Sequence, residues 1–169
     1  MALDPMRPQD VGVAAHLLEV PAATYSVLAE NLGMSSSTAH DAVRRLVQSG
    51  LVRVDGAARP VNRNAFLEFL EHGVRYAFPG SLGPRKRGVP TAHSGPALSP
   101  FMAIDEPVVW PDPSGEASGA SIDPLLPKAA TLAKRFPQTY AFLTAVDALR
   151  IGRARERQLA MQYIRSRLR

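Results

Sequence analysis

The sequence predicts a mainly α-helical protein with a small β-ribbon, and three observations support that fold class. Residues 6–78 carry apolar side chains at helical spacing, divided by capping residues and glycines. Residues 79–127 hold ten of the fifteen prolines and six of the twelve glycines, which excludes a long helix in that stretch. Residues 128–169 return to a helical pattern. We therefore expect a helical domain at 6–78, a Pro/Gly-rich extended segment at 79–127 and a C-terminal helical region at 128–169.

Capping residues predict where the first two helices begin and end. Pro8 and Asp10 open the first helix, because proline suits the first turn and an acid is favourable at the positive end of the helix dipole. Pro21 ends that helix. Thr24 caps a second, short helix, which stops at Gly33.

A third helix is predicted at 35–49, with two distinct faces. At 100° per residue the apolar side consists of Ala39, Ala42, Val43, Leu46 and Val47. The opposite side is polar and consists of Ser37, His40, Asp41, Arg44 and Gln48, with Arg45 on the flank.

Short strands and further helices follow. Residues 51–54 and 59–61 are predicted to pair as a ribbon, with Asp55-Gly56 as the turn. A fourth helix closes at Gly73, and residues 74–78 are expected to form one more strand. After the Pro-rich segment we expect helices at 129–136, from about 138 to 151, and from 154 to the end.

Residues before, within and after the third helix carry a resemblance to a known family. LAENLGMS at 28–35, Thr38, VRRL at 43–46 and SGLV at 49–52 closely resemble the winged helix-turn-helix of MarR-like bacterial transcriptional regulators. The resemblance implies that residues 6–78 are a DNA-binding domain and that the helix at 35–49 lies in the DNA major groove. It also implies that the ribbon at 51–61 is a wing touching the DNA backbone or minor groove. The expected function is then sequence-specific transcriptional regulation by a homodimer on double-stranded DNA.

Eleven side chains are candidates for DNA contact. Hydroxyl groups at a helix N-terminus suit phosphates, because backbone N–H groups also point outward there. Polar groups on the outer face reach base edges, and flanking arginines suit phosphates. The N-terminal candidates are Ser35, Ser36, Ser37 and Thr38, the base-edge candidates are His40, Arg44 and Gln48, and the flanking candidates are Arg45, Arg53, Arg59 and Arg63.

Asp41 departs from this pattern, because it places an acid on the face expected to meet DNA. Its carboxylate either accepts from cytosine N4 or neutralises Arg44 or Arg45. Winged helices also serve as protein-contact modules, so an adaptor without DNA binding stays open as an alternative.

A second resemblance lies further along the chain. VRYAFP at 74–79 and RGVPTA at 87–92 resemble the region after the winged helix in AbiEi-type antitoxin proteins. That resemblance implies a DNA-binding autorepressor whose second half neutralises a partner toxin. An antitoxin-like interaction protein is therefore the alternative from another functional class.

Net charge is +5, the isoelectric point is about 10.1, and the basic excess is concentrated at the end of the chain. The last 22 residues hold seven arginines and one acid beside a weak apolar stripe. Three hypotheses remain for this helix: it forms a dimer with its arginines outward, it holds the DNA backbone, or it meets an acidic partner or solvent.

The Pro-rich segment leaves two interpretations, a disordered linker or an extended segment docked on a neighbouring surface. Large apolar side chains, Trp110 among them, favour docking, and residues 108–110 are typical of a short strand. The cations at 85–87 are expected in a loop that either contacts phosphates or is solvated.

Several functional classes are excluded or disfavoured by composition. The chain has no cysteine, which excludes disulfides, thiolate metal sites and thiol nucleophiles. Its four histidines show no metal-ligand spacing and no catalytic motif is present, so we expect no enzyme activity, cofactor or metal. There is no apolar run of about 18 residues and no signal-peptide pattern, which favours a cytoplasmic protein without a membrane contact.

Overall fold

Helices account for most of the regular structure in residues 2–169, the part of the chain that the computed structural model describes. The α-helices of this range are α1 (Pro8–Glu19), α2 (Tyr25–Leu32), α3 (Ser36–Gln48), α4 (Arg63–His72), α5 (Val74–Ala77), α6 (Leu132–Arg135), α7 (Pro137–Ile151) and α8 (Ala154–Leu168). The strands are β1 (Arg85–Thr91), β2 (Val108–Pro111) and β3 (Ala117–Ser121).

The first helices begin at the predicted caps. The Thr24 hydroxyl accepts a hydrogen bond from the backbone N–H of Val27 at 3.2 Å, and the Ser35 hydroxyl accepts from Thr38 at 3.1 Å. Gly33 ends α2 with a φ of +67°, a conformation that favours glycine. The predicted helix, turn and helix arrangement is therefore confirmed.

The ribbon after α3 is a hairpin of residues 51–62, called here the wing hairpin. Its two arms meet at the isolated bridges Val52–Val61 and Asp55–Ala58, around a turn in which Gly56 has a φ of +56°. The turn lies where the sequence predicts it. The arms are less regular than the two strands expected, because only these bridges pair them.

The prediction of a strand at 74–78 is wrong. Val74 starts the single helical turn α5 and is fully buried against α7. Burial of this side chain against a neighbouring helix outweighs the weak alternation read from the sequence.

The Pro-rich segment is not a disordered linker. It packs against the rest of the molecule, with Val108, Trp110 and Leu126 buried in the common core, but it does so as a small sheet and not only as an extended chain. Each of its three strands pairs with both others: β1 is antiparallel to β2 and β3, and β2 is parallel to β3. Gly88 in β1 pairs with both neighbours, and a Cβ there would lie 2.0 Å from the Trp110 carbonyl oxygen. The cations at 85–87 are exposed on β1 and do not lie in a loop. The strand predicted at 108–110 is confirmed as part of β2.

Helix α7 joins the sheet to the N-terminal helices. Asp147, wholly buried in α7, accepts hydrogen bonds from Thr91 at 2.7 Å, Trp110 Nε1 at 2.6 Å and Arg150 at 2.7 Å. Burial raises the pKa of Asp147. Arg150 also donates to the Phe78 carbonyl oxygen at 2.9 Å, so one buried ion pair links α7 to β1, β2 and the chain after α5.

A second buried network connects α1, α2 and α7. Asn31 donates to His16 Nε2 at 3.0 Å, His16 Nδ1 donates to the Thr139 hydroxyl at 3.0 Å, and that hydroxyl donates to Glu19 at 2.7 Å. This order requires a neutral His16, and burial lowers the pKa of His16. The N-terminal helices and α7 therefore share polar as well as apolar contacts.

The apolar stripe of the last helix is used within the chain. Ala160, Met161, Ile164 and Leu168 are buried in the common core, and α8 packs on α4 and α7. The domain boundaries at 78 and 127 stay a prediction, since this core draws side chains from all three predicted parts. Within residues 2–169, no helix has the length and hydropathy needed to cross a bilayer.

Candidate nucleic-acid interface

The N-terminus of α3 is shaped by its hydroxyl side chains. The Ser35 hydroxyl lies 3.0 Å from that of Ser37 and 2.8 Å from that of Thr38, besides capping the helix. Ser36 and Ser37 are exposed. Ser35 and Thr38 therefore serve the cap, and the two serines between them remain accessible to a partner.

The outer face of α3 presents the side chains predicted for base contact. His40, Arg44 and Gln48 are exposed on one side of the helix. The His40 ring packs edge-on against Tyr25, with ring centroids 4.9 Å apart, which orients the imidazole. Val47, predicted to point inward, is 38% exposed beside this face. The structure thus brings the three base-edge candidates together.

Carboxylates neutralise much of the positive charge on this helix. Arg44 Nη2 lies 3.1 Å from Asp4 Oδ2 and 3.5 Å from Asp41 Oδ1. The same Asp4 oxygen lies 3.4 Å from Arg45 Nη1. Asp41 therefore neutralises Arg44, one of the two roles expected for it, and Asp4 adds a second acid that the sequence did not indicate.

The prediction that Arg45 contacts DNA is wrong. Its side chain is 1% exposed, and it donates from Nε and Nη2 to the two carboxylate oxygens of Asp10 at 2.8 and 2.7 Å. The hydrogen bonds that Arg45 donates to the Asp10 carboxylate raise the pKa of Arg45. A buried guanidinium with a bidentate partner does not contact phosphate, so Arg45 fixes α3 to the start of α1 instead. Helix angle alone placed Arg45 on the flank, and only the position of Asp10 decides that the flank is covered.

The three arginines predicted for the wing differ in their availability. Arg53 is exposed on the wing hairpin. Arg59 is half-buried, with its guanidinium 4.2 Å from the centre of the Tyr25 ring and a donor to the Ala23 carbonyl oxygen at 3.2 Å. Arg63 is exposed but donates to the Arg167 carbonyl oxygen at 2.9 Å. Arg53 is therefore the most available of the three, and it lies next to Val54, which is 62% exposed.

The helix-turn-helix is also recognisable by comparison with known protein families. Residues 15–53 match the family model for winged helix-turn-helix DNA-binding domains. The chain is mainly helical, with a winged helix-turn-helix domain and a small three-stranded sheet. No curated protein and no solved structure matches the chain.

The match places the helix-turn-helix along the chain. It covers the last five residues of α1 (15–19), all of α2 and α3, and the first three residues of the wing hairpin (51–53). In such domains the second helix of the motif enters the major groove while the first crosses the backbone. The second helix of the motif is α3 in this chain, and its outer face carries His40, Arg44 and Gln48. Among residues 2–169, no group of three potential metal ligands was found.

Proposed function

We propose that this protein is a sequence-specific transcriptional regulator that binds double-stranded DNA through α3 and the wing hairpin. The observation that carries the proposal is the winged helix-turn-helix at 15–53, whose α3 keeps His40, Arg44 and Gln48 exposed together. Arginine pairs with guanine O6 and N7, and glutamine with adenine N6 and N7, so this face suits base recognition in the major groove.

The wing hairpin supports the same proposal. Arg53 is exposed on it and suits a phosphate of the backbone, while Arg59 and Tyr25 brace the hairpin against α2. Ser36 and Ser37 at the start of α3 suit a backbone phosphate as well. Such a regulator acts where the chromosome lies, which is the cytoplasm of a bacterial cell.

The experiment is selection of genomic DNA fragments by the purified protein, followed by sequencing and binding titrations on the enriched site. We expect one enriched sequence and an affinity that falls steeply as salt rises. The combined change Arg44→Ala and Gln48→Ala is expected to weaken binding by about 1–3 kcal/mol for each of the two side chains removed from the base edges. The matched control is Arg155→Ala, an exposed arginine of α8 outside the winged helix domain. Binding without sequence preference, or insensitive to the α3 changes, contradicts the proposal.

A second candidate function is protein contact, and the charges around α3 favour it. The cations Arg44 and Arg45 are outnumbered by the carboxylates of Asp4, Asp10 and Asp41, an unusual balance for a surface that meets phosphates. An adaptor of this kind shows no salt-dependent DNA binding. If the protein is instead an antitoxin, as its resemblance to AbiEi-type proteins implies, its second half binds a toxin. Co-purification of the protein with the product of a neighbouring gene tests this alternative.

The proposed regulator is of the MarR-like type and acts as a homodimer. Because the apolar stripe of α8 is buried within the chain, a dimer needs a surface other than that stripe. Light scattering after size exclusion measures the mass in solution. A single 18.2 kDa species at working concentration contradicts the homodimer.

A further inference from the structure

A segment from the C-terminal half carries cations close to the helix-turn-helix, where the arginines of α3 are neutralised by carboxylates. Leu126 is buried over α1, where a Cβ on Gly12 would lie 2.2 Å from the Leu126 Cγ. Two residues later, Lys128 crosses the turn of the helix-turn-helix. A Cβ on Gly33 would lie 2.6 Å from the Lys128 Cδ, so the lysine stem packs directly on that turn.

A second cation is fixed next to α2 in the same way. Arg135, at the end of α6, donates from Nη1 to the Glu30 carbonyl oxygen at 3.4 Å. Its guanidinium lies 5.2 Å from the centre of the Phe136 ring, and that ring packs edge-on against His16 at 4.6 Å. Buried Leu132 anchors the segment between the two cations. Both cations are therefore held against the winged helix domain by packed neighbours.

Lys128 and Arg135 also differ from the arginines of α3 in their charge environment. Both are exposed, and no carboxylate oxygen among residues 2–169 lies within 4.0 Å of their nitrogens. Arg44, in contrast, has two carboxylates within 3.5 Å. The unneutralised positive charge at this end of the helix-turn-helix thus comes from the second half of the chain.

We propose that Lys128 and Arg135 contact the phosphate backbone beside the groove that α3 enters, so that the C-terminal half completes the DNA interface. This inference rests on the proposed function. In helix-turn-helix proteins the N-terminal end of the second helix approaches the bases, and the first helix lies over the backbone. Lys128 packs on the turn just before the Ser35 cap, and Arg135 lies on α2. Both cations therefore lie on the elements that, in such proteins, are nearest the DNA backbone.

The test compares two pairs of charge removals in the full chain. The variant Lys128→Gln with Arg135→Gln removes the proposed contacts. The control, Arg153→Gln with Arg155→Gln, removes two exposed cations at the other end of α7, a helix of 15 residues and so about 22 Å long. Dissociation constants for the DNA fragment enriched by genomic selection are measured by fluorescence anisotropy across a salt series.

We expect the Lys128 and Arg135 pair to weaken binding about 10–30-fold at 0.15 M salt and to lower the salt slope by about two. The control pair is expected to change the affinity about threefold or less, as a distant charge does through screened salt. Equal shifts and equal slopes for the two pairs overturn the inference.

A charge-retaining variant separates electrostatics from structural damage. Lys128→Arg with Arg135→Lys is expected to keep the wild-type salt slope. If it weakens binding as much as the glutamine pair does, the effect is structural and the inference is overturned. Loss of binding through Arg44→Ala and Gln48→Ala, without loss through the Lys128 and Arg135 pair, overturns the inference and leaves the proposed function intact. Failure of the unchanged protein to bind any DNA overturns both.

Discussion

Removal of Asp10 is expected to be among the most damaging single changes in the N-terminal helices. Asp10 is fully buried and holds Arg45 through two hydrogen bonds of 2.7 and 2.8 Å. The pair joins the first turn of α1 to α3, the proposed recognition helix. Asp10→Ala leaves the Arg45 guanidinium, 1% exposed, without its main counter-ion.

The magnitude follows from the environment of the pair. Breaking a buried ion pair by removing one partner costs about 3–5 kcal/mol, because the remaining charge stays buried without compensation. A domain of ordinary stability has about 5–15 kcal/mol in total, so Asp10→Ala removes a large share of it. Arg44→Ala on the same helix is the matched control. Arg44 is 45% exposed, and its ion pairs are worth about 1 kcal/mol or less.

The assay is urea unfolding followed by circular dichroism, with the free energy taken from the midpoint and slope. The double change Asp10→Leu and Arg45→Met is expected to be less destabilising than Asp10→Ala, because it removes both charges together. A decrease below about 1 kcal/mol for Asp10→Ala, equal to that of Arg44→Ala, refutes the assignment of Arg45 as a buried structural residue.

Three further predictions concern groups in other parts of the molecule. Burial lowers the pKa of His16 from its ordinary value of 6.5, so the neutral ring stabilises the fold above pH 6.5 and this stabilisation is lost as the pH falls. His16→Gln should therefore flatten the decline of the melting temperature between about pH 7.5 and 5. An unchanged decline contradicts this prediction. Asp4→Asn should tighten DNA binding about two- to fivefold in anisotropy titrations by releasing Arg44, whereas weaker binding means that Asp4 positions the arginine. Burial raises the pKa of Tyr140, whose hydroxyl donates to the Pro90 carbonyl oxygen at 2.6 Å, to about 12. The contribution of Tyr140 to folding stability is therefore present below pH 10 and lost as the pH rises to about 12. Absorbance titrations of the wild type and of Tyr140→Phe should differ by one phenol that ionises near pH 12 and not near pH 10.

Local signals in the sequence determined the helix-turn-helix. The caps at Thr24 and Ser35, the left-handed glycine at Gly33 and the two-faced pattern of α3 all act within one or two turns of chain. Such effects depend on near neighbours, so they are visible in a single sequence. The exposure of His40, Arg44 and Gln48 followed from the same periodicity.

Distant contacts decided the rest. The role of Arg45 depends on Asp10, 35 residues earlier, and the neutralisation of Arg44 depends on Asp4, 40 residues earlier. Within the Pro-rich segment, Thr91 of β1 and Trp110 of β2 both donate to buried Asp147 of α7, which lies 56 and 37 residues later in the chain. Ten prolines in that segment exclude a long helix but say nothing of pairing between separated strands.

Local sequence patterns are therefore enough to predict the winged helix and the polar face of α3. Which arginines are free on that face, and the packing of Lys128 against the glycine turn, depend on contacts between distant parts of the chain. The physical reason is that helix periodicity sets the direction of a side chain, whereas its charge environment is set by whatever other part of the chain packs beside it.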